Sequence, residues 1–423
     1  MLRAITNDLS RWIGVLSCAL MVLASAQSAI GAIPVYSEQR KLTSDVSAAQ
    51  DGFGVHSALH NNLLVTSASY TALDGQQFGR ANGYDVRNGD LLWTLTPPSP
   101  FAELGGFSQS LAATDEFVAG GQLYRDAITG NLTGLAHIFS STTGQYIRTV
   151  FDDVPNPENR FGLKVAIDGS DLLVGGDTDL DYFDAASGLQ HPDIPTPEPG
   201  VKWEMVQSNF DVQDGEALIV GTVGIYPNNT DAAAYLMDLS SGAVLQKFEP
   251  DVGNYSSFRV TMDEEFVALS GSLIFDPSNP LDRSGVVFVF DRHTGEQLFR
   301  IDAPNPQTDN SSFGNSIDME GGLLVVGSPS DGTHGVEFGA TYTFDAATGA
   351  PIAELLPSDG LSHLLLGLQV LTNGEYATTT GFPWISGLPP HGALYIFVPE
   401  PLGVMPIVSA VIIFIFFVRS RST

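Results

Sequence analysis

From residue 36 to residue 398 short apolar runs alternate with polar turns on one repeating plan. The clearest unit opens with Phe313-Gly314-Asn315-Ser316-Ile317-Asp318, turns at Glu320-Gly321 and continues as the apolar run Leu323-Leu324-Val325-Val326-Gly327. A loop leads to Gly339-Ala340-Thr341-Tyr342-Thr343-Phe344-Asp345, Thr348-Gly349 turns again, and Pro351-Ile352-Ala353-Glu354-Leu355 closes the unit. Segments of this length, bounded by Gly, Asn and Asp, read as four β-strands. The opening recurs at Phe53-Gly54, Phe107-Ser108, Phe161-Gly162, Phe210-Asp211, Phe258-Arg259 and, degraded, Leu366-Gly367. A period of roughly fifty residues with four short strands predicts propeller blades. Seven starts predict an all-β, seven-bladed β-propeller of four-stranded antiparallel blades.

Each piece has a physical reason. The second strands (Leu172-Leu173-Val174-Gly175, Ala217-Leu218-Ile219-Val220, Phe266-Val267-Ala268-Leu269) are continuously apolar, as strands buried on both faces are. The third strands end in Asp-x-x-Thr/Ser/Asn-Gly at Asp85 to Gly89, Asp184 to Gly188, Asp238 to Gly242, Asp291 to Gly295 and Asp345 to Gly349, with Ser140 to Gly144 as a variant. The Asp accepts backbone hydrogen bonds and the Gly supplies a positive φ, so these aspartates read as structural. In the seventh unit the third strand, Gly392 to Phe397, runs straight into Val398-Pro399-Glu400-Pro401, and no fourth strand follows. A spare one, Tyr36 to Leu42, precedes Phe53-Gly54. This predicts that the N-terminal strand completes blade seven, closing the ring and removing an open sheet edge.

The two ends fall outside this plan. Residues 1–26 read as a secretory signal: Arg3 and Arg11 are basic, Trp12 to Leu23 is apolar, and Ala24-Ser25-Ala26 offers a small-residue cleavage site. The sole cysteine, Cys18, lies inside it, so the mature body has no disulfide and depends on its core. The propeller is assigned to 27–398. At the far end an apolar run, 402–418, is just long enough for a transmembrane helix, and Arg419 and Arg421 follow it.

Composition narrows the function. Asp+Glu number 48 against Lys+Arg 18, a net charge of −30. Removing Arg3, Arg11, Arg419 and Arg421 with the ends leaves the body more acidic still. Such a body repels nucleic acid, which is held through basic groups. A hydrophobic content of 43% argues against disorder.

Two resemblances follow. The ordered tail, with Val398, Pro399, Glu400 and Pro401 before the apolar run and Arg419 and Arg421 after it, resembles the PEP-CTERM sorting signal over 399–423. That likeness implies an exosortase-type processing enzyme as partner, a temporary membrane anchor, and delivery to the cell surface or extracellular matrix. Leu402 departs from the Ser or Thr usual in that family, and a plain single-pass anchor is the competing reading. The repeats resemble FG-GAP repeats, as in the integrin α head, through the Phe-Gly starts and Gly327-Ser328-Pro329. Asp85 to Trp93 and Asp291 to Phe299 also resemble quinoprotein-type blades. Calcium-binding FG-GAP blades carry an Asp-x-Asp-x-Asp-Gly loop between the first two strands. Here those joints are the tight turns Asn61-Asn62, Asp168-Gly169, Asp214-Gly215, Glu320-Gly321 and Asn373-Gly374, so such sites are not carried over.

Candidate chemistry is sparse. Asp177, Asp179 and Asp181 alternate in a loop that could gather round calcium, against the reading of a solvated acidic loop. His56 and His60 are four apart but not on a helix. Trp203, Tyr226, Tyr255 and Trp384 could stack on sugars or simply pack between blades. No phosphate-binding glycine loop or nucleophile elbow is present. The sequence therefore reads as a non-catalytic, exported surface or matrix propeller that presents loops for protein or glycan binding. The alternatives are a polysaccharide-acting propeller enzyme and a purely structural matrix protein.

Overall fold

A computed structural model describes residues 36–400 except 45–49, 69, 72–76, 100–105, 126–131, 153–158, 178, 204–209, 224–230, 252–254, 275–282, 305–311, 336–337, 360–363 and 383–391. The expected signal 1–26, the apolar run 402–418 and the residues Pro401, Arg419 and Arg421 lie outside the described residues. Among the described residues no helix is long and apolar enough to cross a membrane.

Seven antiparallel sheets stand as blades. Their inner strands are Ser57–His60, Phe107–Ala113, Lys164–Asp168, Phe210–Gln213, Tyr255–Met262, Ser316–Glu320 and Val370–Thr372. Each touches the next, and the last touches the first, so the strands line one axis. Blade seven has the order Tyr36–Thr43, Ala393–Pro399, Ala377–Gly381, Val370–Thr372. The N-terminal strand is therefore its fourth strand, as the sequence predicts. Val398 and Pro399 end the third strand there, and Glu400 is exposed beyond it. Blade three is the reduced one: after Lys164–Asp168, Asp171–Gly175 and Leu180–Asp184 its fourth strand shrinks to the bridge Phe183–Gln190. A small additional sheet joins Gln50–Asp51, Tyr70–Thr71 and Gln77–Phe78.

The core is built between blades rather than within them. One cluster joins Leu218, Leu236 and Phe248 of blade four to Val260, Leu269 and Phe288 of blade five. Another joins Phe53, Leu64 and Tyr84 of blade one to Leu394 and Ile396 of blade seven. This explains the continuously apolar second strands: Leu172, Leu173 and Val174 are fully buried because a neighbour covers each face.

The repeated Phe-Gly opening acts as an inter-blade lock. Phe53, Phe107, Phe161 and Phe313 are all buried. A Cβ added to Gly392, at the start of blade seven's third strand, would lie 1.8 Å from the carbonyl oxygen of Phe53. Gly134 stands in the same relation to Phe161 at 1.8 Å, and Gly285 to Phe313 at 2.1 Å. The opening of one blade thus docks into a notch in the previous blade that only glycine leaves open.

The strand pairings correct two of the seven sequence starts. Phe210 pairs with Ile219 inside the inner strand, one residue before Asp211, which pairs with Leu218. In blade six Ile317 holds that place, ahead of Asp318, and Phe313 comes before the strand. Phe258 likewise lies within Tyr255–Met262, at an irregularity between Ser256 and Arg259. Both aromatics are apolar strand residues that imitate the opening motif.

Candidate functional site: the axial layers and the inter-blade grooves

The first joints are tight turns, at Asp214-Gly215 as expected and in blade six at Gly321-Gly322, one residue on from the expected Glu320-Gly321 because Glu320 pairs with Leu323. Asp214 and Gly215 have φ of 54° and 76°, and Gly321 and Gly322 have 58° and 79°. Both pairs make two-residue hairpins with positive φ at each central position, leaving no room for a cation-binding loop. The third-strand aspartates are structural too. Asp291 Oδ1 accepts from the Thr294 amide at 2.7 Å, the Thr294 hydroxyl at 2.9 Å and the His293 amide at 3.0 Å. Gly295 closes that turn at φ 73°.

Because the first turns anchor the register, equivalent inner-strand positions can be matched across blades. The layer at the turns is polar throughout: His60, Thr114, Asp168, Gln213, Asp263, Glu320 and Asn373. Two residues back lie Ala58, Ala112, Ala166, Asp211, Thr261, Asp318 and Leu371. Two further back the described positions are His56, Ser110, Lys164, Arg259, Ser316 and Gln369. The turn layer is acidic and the third carries the cations. Burial lowers the Arg259 pKa and brings His56 down to about 4, which keeps the imidazole neutral.

These side chains lace each blade to the next. An inner strand is a sheet edge, and its backbone groups need partners. Ser316 Oγ accepts the Val370 amide at 3.1 Å, and Gln369 Nε2 donates to the Ser57 carbonyl at 2.8 Å. Asp168 accepts the Asp214 amide at 2.7 Å, and Asp263 accepts the Gly322 amide at 2.8 Å. In the middle layer Asp211 accepts the Met262 amide at 3.0 Å, and Asp318 accepts the Thr372 amide at 2.7 Å. Burial pushes the Asp211 pKa up to about 6. Burial, reinforced by the Asp211 charge, pushes Asp318 up to about 8 although it keeps some solvent contact. Sequence reasoning missed this pair. The available signal was an acid two residues before the first-turn layer, hidden in blade four by the Phe210 misalignment.

The proposed calcium ligands do not converge. The Arg160 guanidinium grips the Asp177 carboxylate, with Nε at 2.8 and 3.0 Å, and holds its pKa below the usual range. Asp179 is exposed, and Asp181 is buried in blade three's third strand, where Gln190 Nε2 donates to it at 3.0 Å. The described residues contain no group of three or more His, Cys, Asp or Glu placed to hold a metal ion. The Asp177 charge is thus already paired with that of Arg160. His56 is half-buried at the axis, and His60 sits at a first turn, 3.3 Å from Asp115. Trp203 packs edge-on against Tyr235, and its Nε1 donates to the Ile194 carbonyl at 3.3 Å. Tyr226 and Trp384 lie outside the described residues.

Two equivalent grooves open where neighbouring blades meet on the tight-turn face. That between blades four and five, about 420 Å³, is lined by Asp214, Glu216, Leu245, Glu264, Arg292 and His293. Arg292 is buried there, donating to Glu216 at 2.7 Å, Gln213 at 2.6 Å and the Asp263 carbonyl at 2.6 Å. The groove between blades one and two, about 390 Å³, is lined by His60, Asn61, Asp85, Arg87, Leu92 and Asp115, among others.

No protein-family model matches the chain. No curated protein matches it either. Among solved structures it is similar to the β-propeller domain of Cps50 (Swd1) from Myceliophteria thermophila, with a TM-score of 0.53 and 9% identity over 86% of this chain and 99% of that one. At that identity the likeness shows the fold alone: the chain is a seven-bladed β-propeller.

Proposed function

We propose that the chain is an exported, non-catalytic propeller of the cell surface or extracellular matrix that binds protein or glycan through its long connections. The observation that carries this reading is the division of connections between the two ends of the ring. First and third joints are tight turns such as Asp214-Gly215 and Asp291 to Gly295, gathered at one end. Second joints and blade-to-blade connections leave from the other end, and they include the chain between Ile274 and Arg283 and that between Gly381 and Ala393. A rigid ring with its long segments on one side separates stability from recognition. The PEP-CTERM-like and FG-GAP-like features support delivery to the surface, through an exosortase-type partner. The carboxyl pair Asp211 and Asp318 is committed to backbone amides, which argues against its use on a polysaccharide substrate.

The test combines fractionation with binding. The mature protein should appear in the surface or matrix fraction, cut near Pro401. Immobilised protein should capture an envelope protein or polysaccharide. Replacing 275–282 and 383–391 with Gly-Ser segments should abolish capture, whereas substitutions in the tight-turn grooves should not. Retention in the cytoplasm, or capture indifferent to those segments, would overturn the reading.

A further inference from the structure

The third axial layer is where polar groups of the inner wall stay unmatched. Its described positions are His56, Ser110, Lys164, Arg259, Ser316 and Gln369, all half-buried. The inner strands line the axis, so the solvent these residues reach is that of the central channel. In the two layers nearer the tight turns the aspartates are committed. Asp168, Asp211, Asp263 and Asp318 each accept a backbone amide of the next blade. In the third layer Ser110 Oγ donates to the Gly162 carbonyl at 3.2 Å, and Ser316 Oγ accepts the Val370 amide. Three groups there are left over. Among the described residues the Arg259 guanidinium and the His56 imidazole have no hydrogen-bond or ion-pair partner. Gln369 Nε2 is spent on the Ser57 carbonyl, one residue from His56, and its Oε1 is buried with no partner. Unmatched polar groups in a packed wall cost stability, and a set of them in one layer needs a reason.

The groups define what would match them. Arg259 presents a planar fork of donors suited to a carboxylate. Lys164 stands in the same layer on blade three with its Nζ buried, so it adds positive charge rather than contact. Gln369 Oε1 can only accept, and a neutral His56 offers one donor and one acceptor. A bare anion satisfies Arg259 and leaves Gln369 Oε1 unmet; a neutral sugar does the reverse. A ligand bearing both a carboxylate and hydroxyls satisfies all three. The cations lie on blades three and five and the neutral groups on blades seven and one, so such a ligand lies across the channel.

We propose that the axial channel binds a hydroxylated carboxylate of the sugar-acid class, with its carboxylate on Arg259 and its hydroxyls on Gln369 Oε1 and His56. The ligand enters from the end of the long connections, because Asp168, Asp263 and Glu320 in the turn layer repel anions at the other end. This gives a ligand class to the glycan side of the proposed function and rests on that reading for the ligand's source; the ring alone builds the site.

The test modifies the purified full-length chain with phenylglyoxal at neutral pH and reads each arginine by peptide mass spectrometry. Arg259 should react, while Arg292, buried among three partners, serves as the unreactive reference. D-galacturonate at about ten times its Kd should slow the modification of Arg259 about tenfold. D-galactose and sulfate, each carrying half of the required chemistry, should protect far less at the same concentration. In calorimetry Arg259→Gln should weaken galacturonate binding about tenfold or more. An unreactive Arg259, or one that galacturonate does not protect, would overturn the site. Equal protection by sulfate or galactose would overturn the ligand class. These readings come from the wild-type chain, so they hold even if Arg259→Gln does not fold. They involve neither export nor the long connections, so failure here is distinct from failure of the proposed function.

Discussion

The Arg40 side chain lies across Gly89, its Cδ 2.9 Å from where a Cβ on that glycine would stand. The same relation runs round the ring. Trp93 crosses Gly144 at 2.8 Å, Arg148 crosses Gly188 at 2.9 Å, Gln246 crosses Gly295 at 2.0 Å and Phe299 crosses Gly349 at 3.0 Å. In each case a fourth-strand side chain covers the turn glycine of the next blade. Arg40 belongs to the N-terminal strand and Gly89 to blade one, so the chain's beginning performs the role that Trp93 performs in the interior of the repeat.

This contact makes the turn glycines doubly constrained. Gly144 has φ 67°, and its missing Cβ would meet Trp93. Gly144→Ala should therefore cost about 2–3 kcal/mol, from backbone strain plus displacement of the indole, whose Nε1 donates to the Ser141 carbonyl at 2.9 Å. Gly169→Ala, at φ 51° with nothing near its Cβ, should cost about 1 kcal/mol. Equal costs in urea melts would refute the crossing contact.

The Phe-Gly lock should tolerate less. Gly134→Ala would place a methyl 1.8 Å from the Phe161 carbonyl oxygen, a backbone atom that cannot rotate aside. Blades two and three must then part, at a cost of about 3 kcal/mol or more. Soluble expression and melting temperature check this. A variant as stable as wild type would show that the notch has slack.

Stability should depend on pH in three regimes. Hydrogen bonds from Ser187 to Asp184, from Ser240 and Ser241 to Asp238, and from Thr294 to Asp291 hold these carboxyls below 3.8. Their contribution is full above that value and is lost as the pH falls beneath it. His56 and His137, brought from 6.5 to about 4 by burial, destabilise as the pH drops through that interval. Asp211 and Asp318, raised from 3.8 to about 6 and about 8, destabilise as the pH rises through theirs. The opposing slopes nearly cancel between about pH 4 and 6, so melting temperatures there should form a plateau, with a decline on either side. A single maximum at pH 8 in a melting series would contradict these assignments.

Calcium should leave the blade-three loop unaffected. With Asp177 held by Arg160, adding calcium or EDTA should not shift the melting temperature through that loop. Arg160→Gln should cost about 1–2 kcal/mol by removing charge-assisted bonds from a half-buried carboxylate. Calcium stabilisation of wild type that vanishes in Asp179→Asn would restore the loop as a cation site.

The blade plan was legible because its signals are local. Apolar second strands, Asp-x-x-Thr-Gly turns and the absent fourth strand after Phe397 can each be read in a few residues. The axial layer was not. Asp211, Thr261 and Asp318 become equivalent only when each is counted back from its first turn, and the inner strands enter differently. Phe210 and Phe258 supplied an aromatic where the motif led one to expect the opening, shifting blades four and five. The Arg160–Asp177 pairing spans a blade-to-blade connection and a second joint, so no spacing rule announces it.

The central claim is that the N-terminal strand closes the ring in blade seven, and the most direct measurement needs no substitution. Lys41 forms an ion pair with Asp359, and Glu38 accepts the Ser358 amide, so residues more than three hundred apart in sequence meet. Carbodiimide cross-linking of the native protein, read by peptide mass spectrometry, should join Lys41 to Asp359 as readily as it joins Lys247 to Glu198 or Glu249, each 3.2 Å away. Recovery of the Lys247 products without any Lys41–Asp359 peptide would contradict closure by this strand.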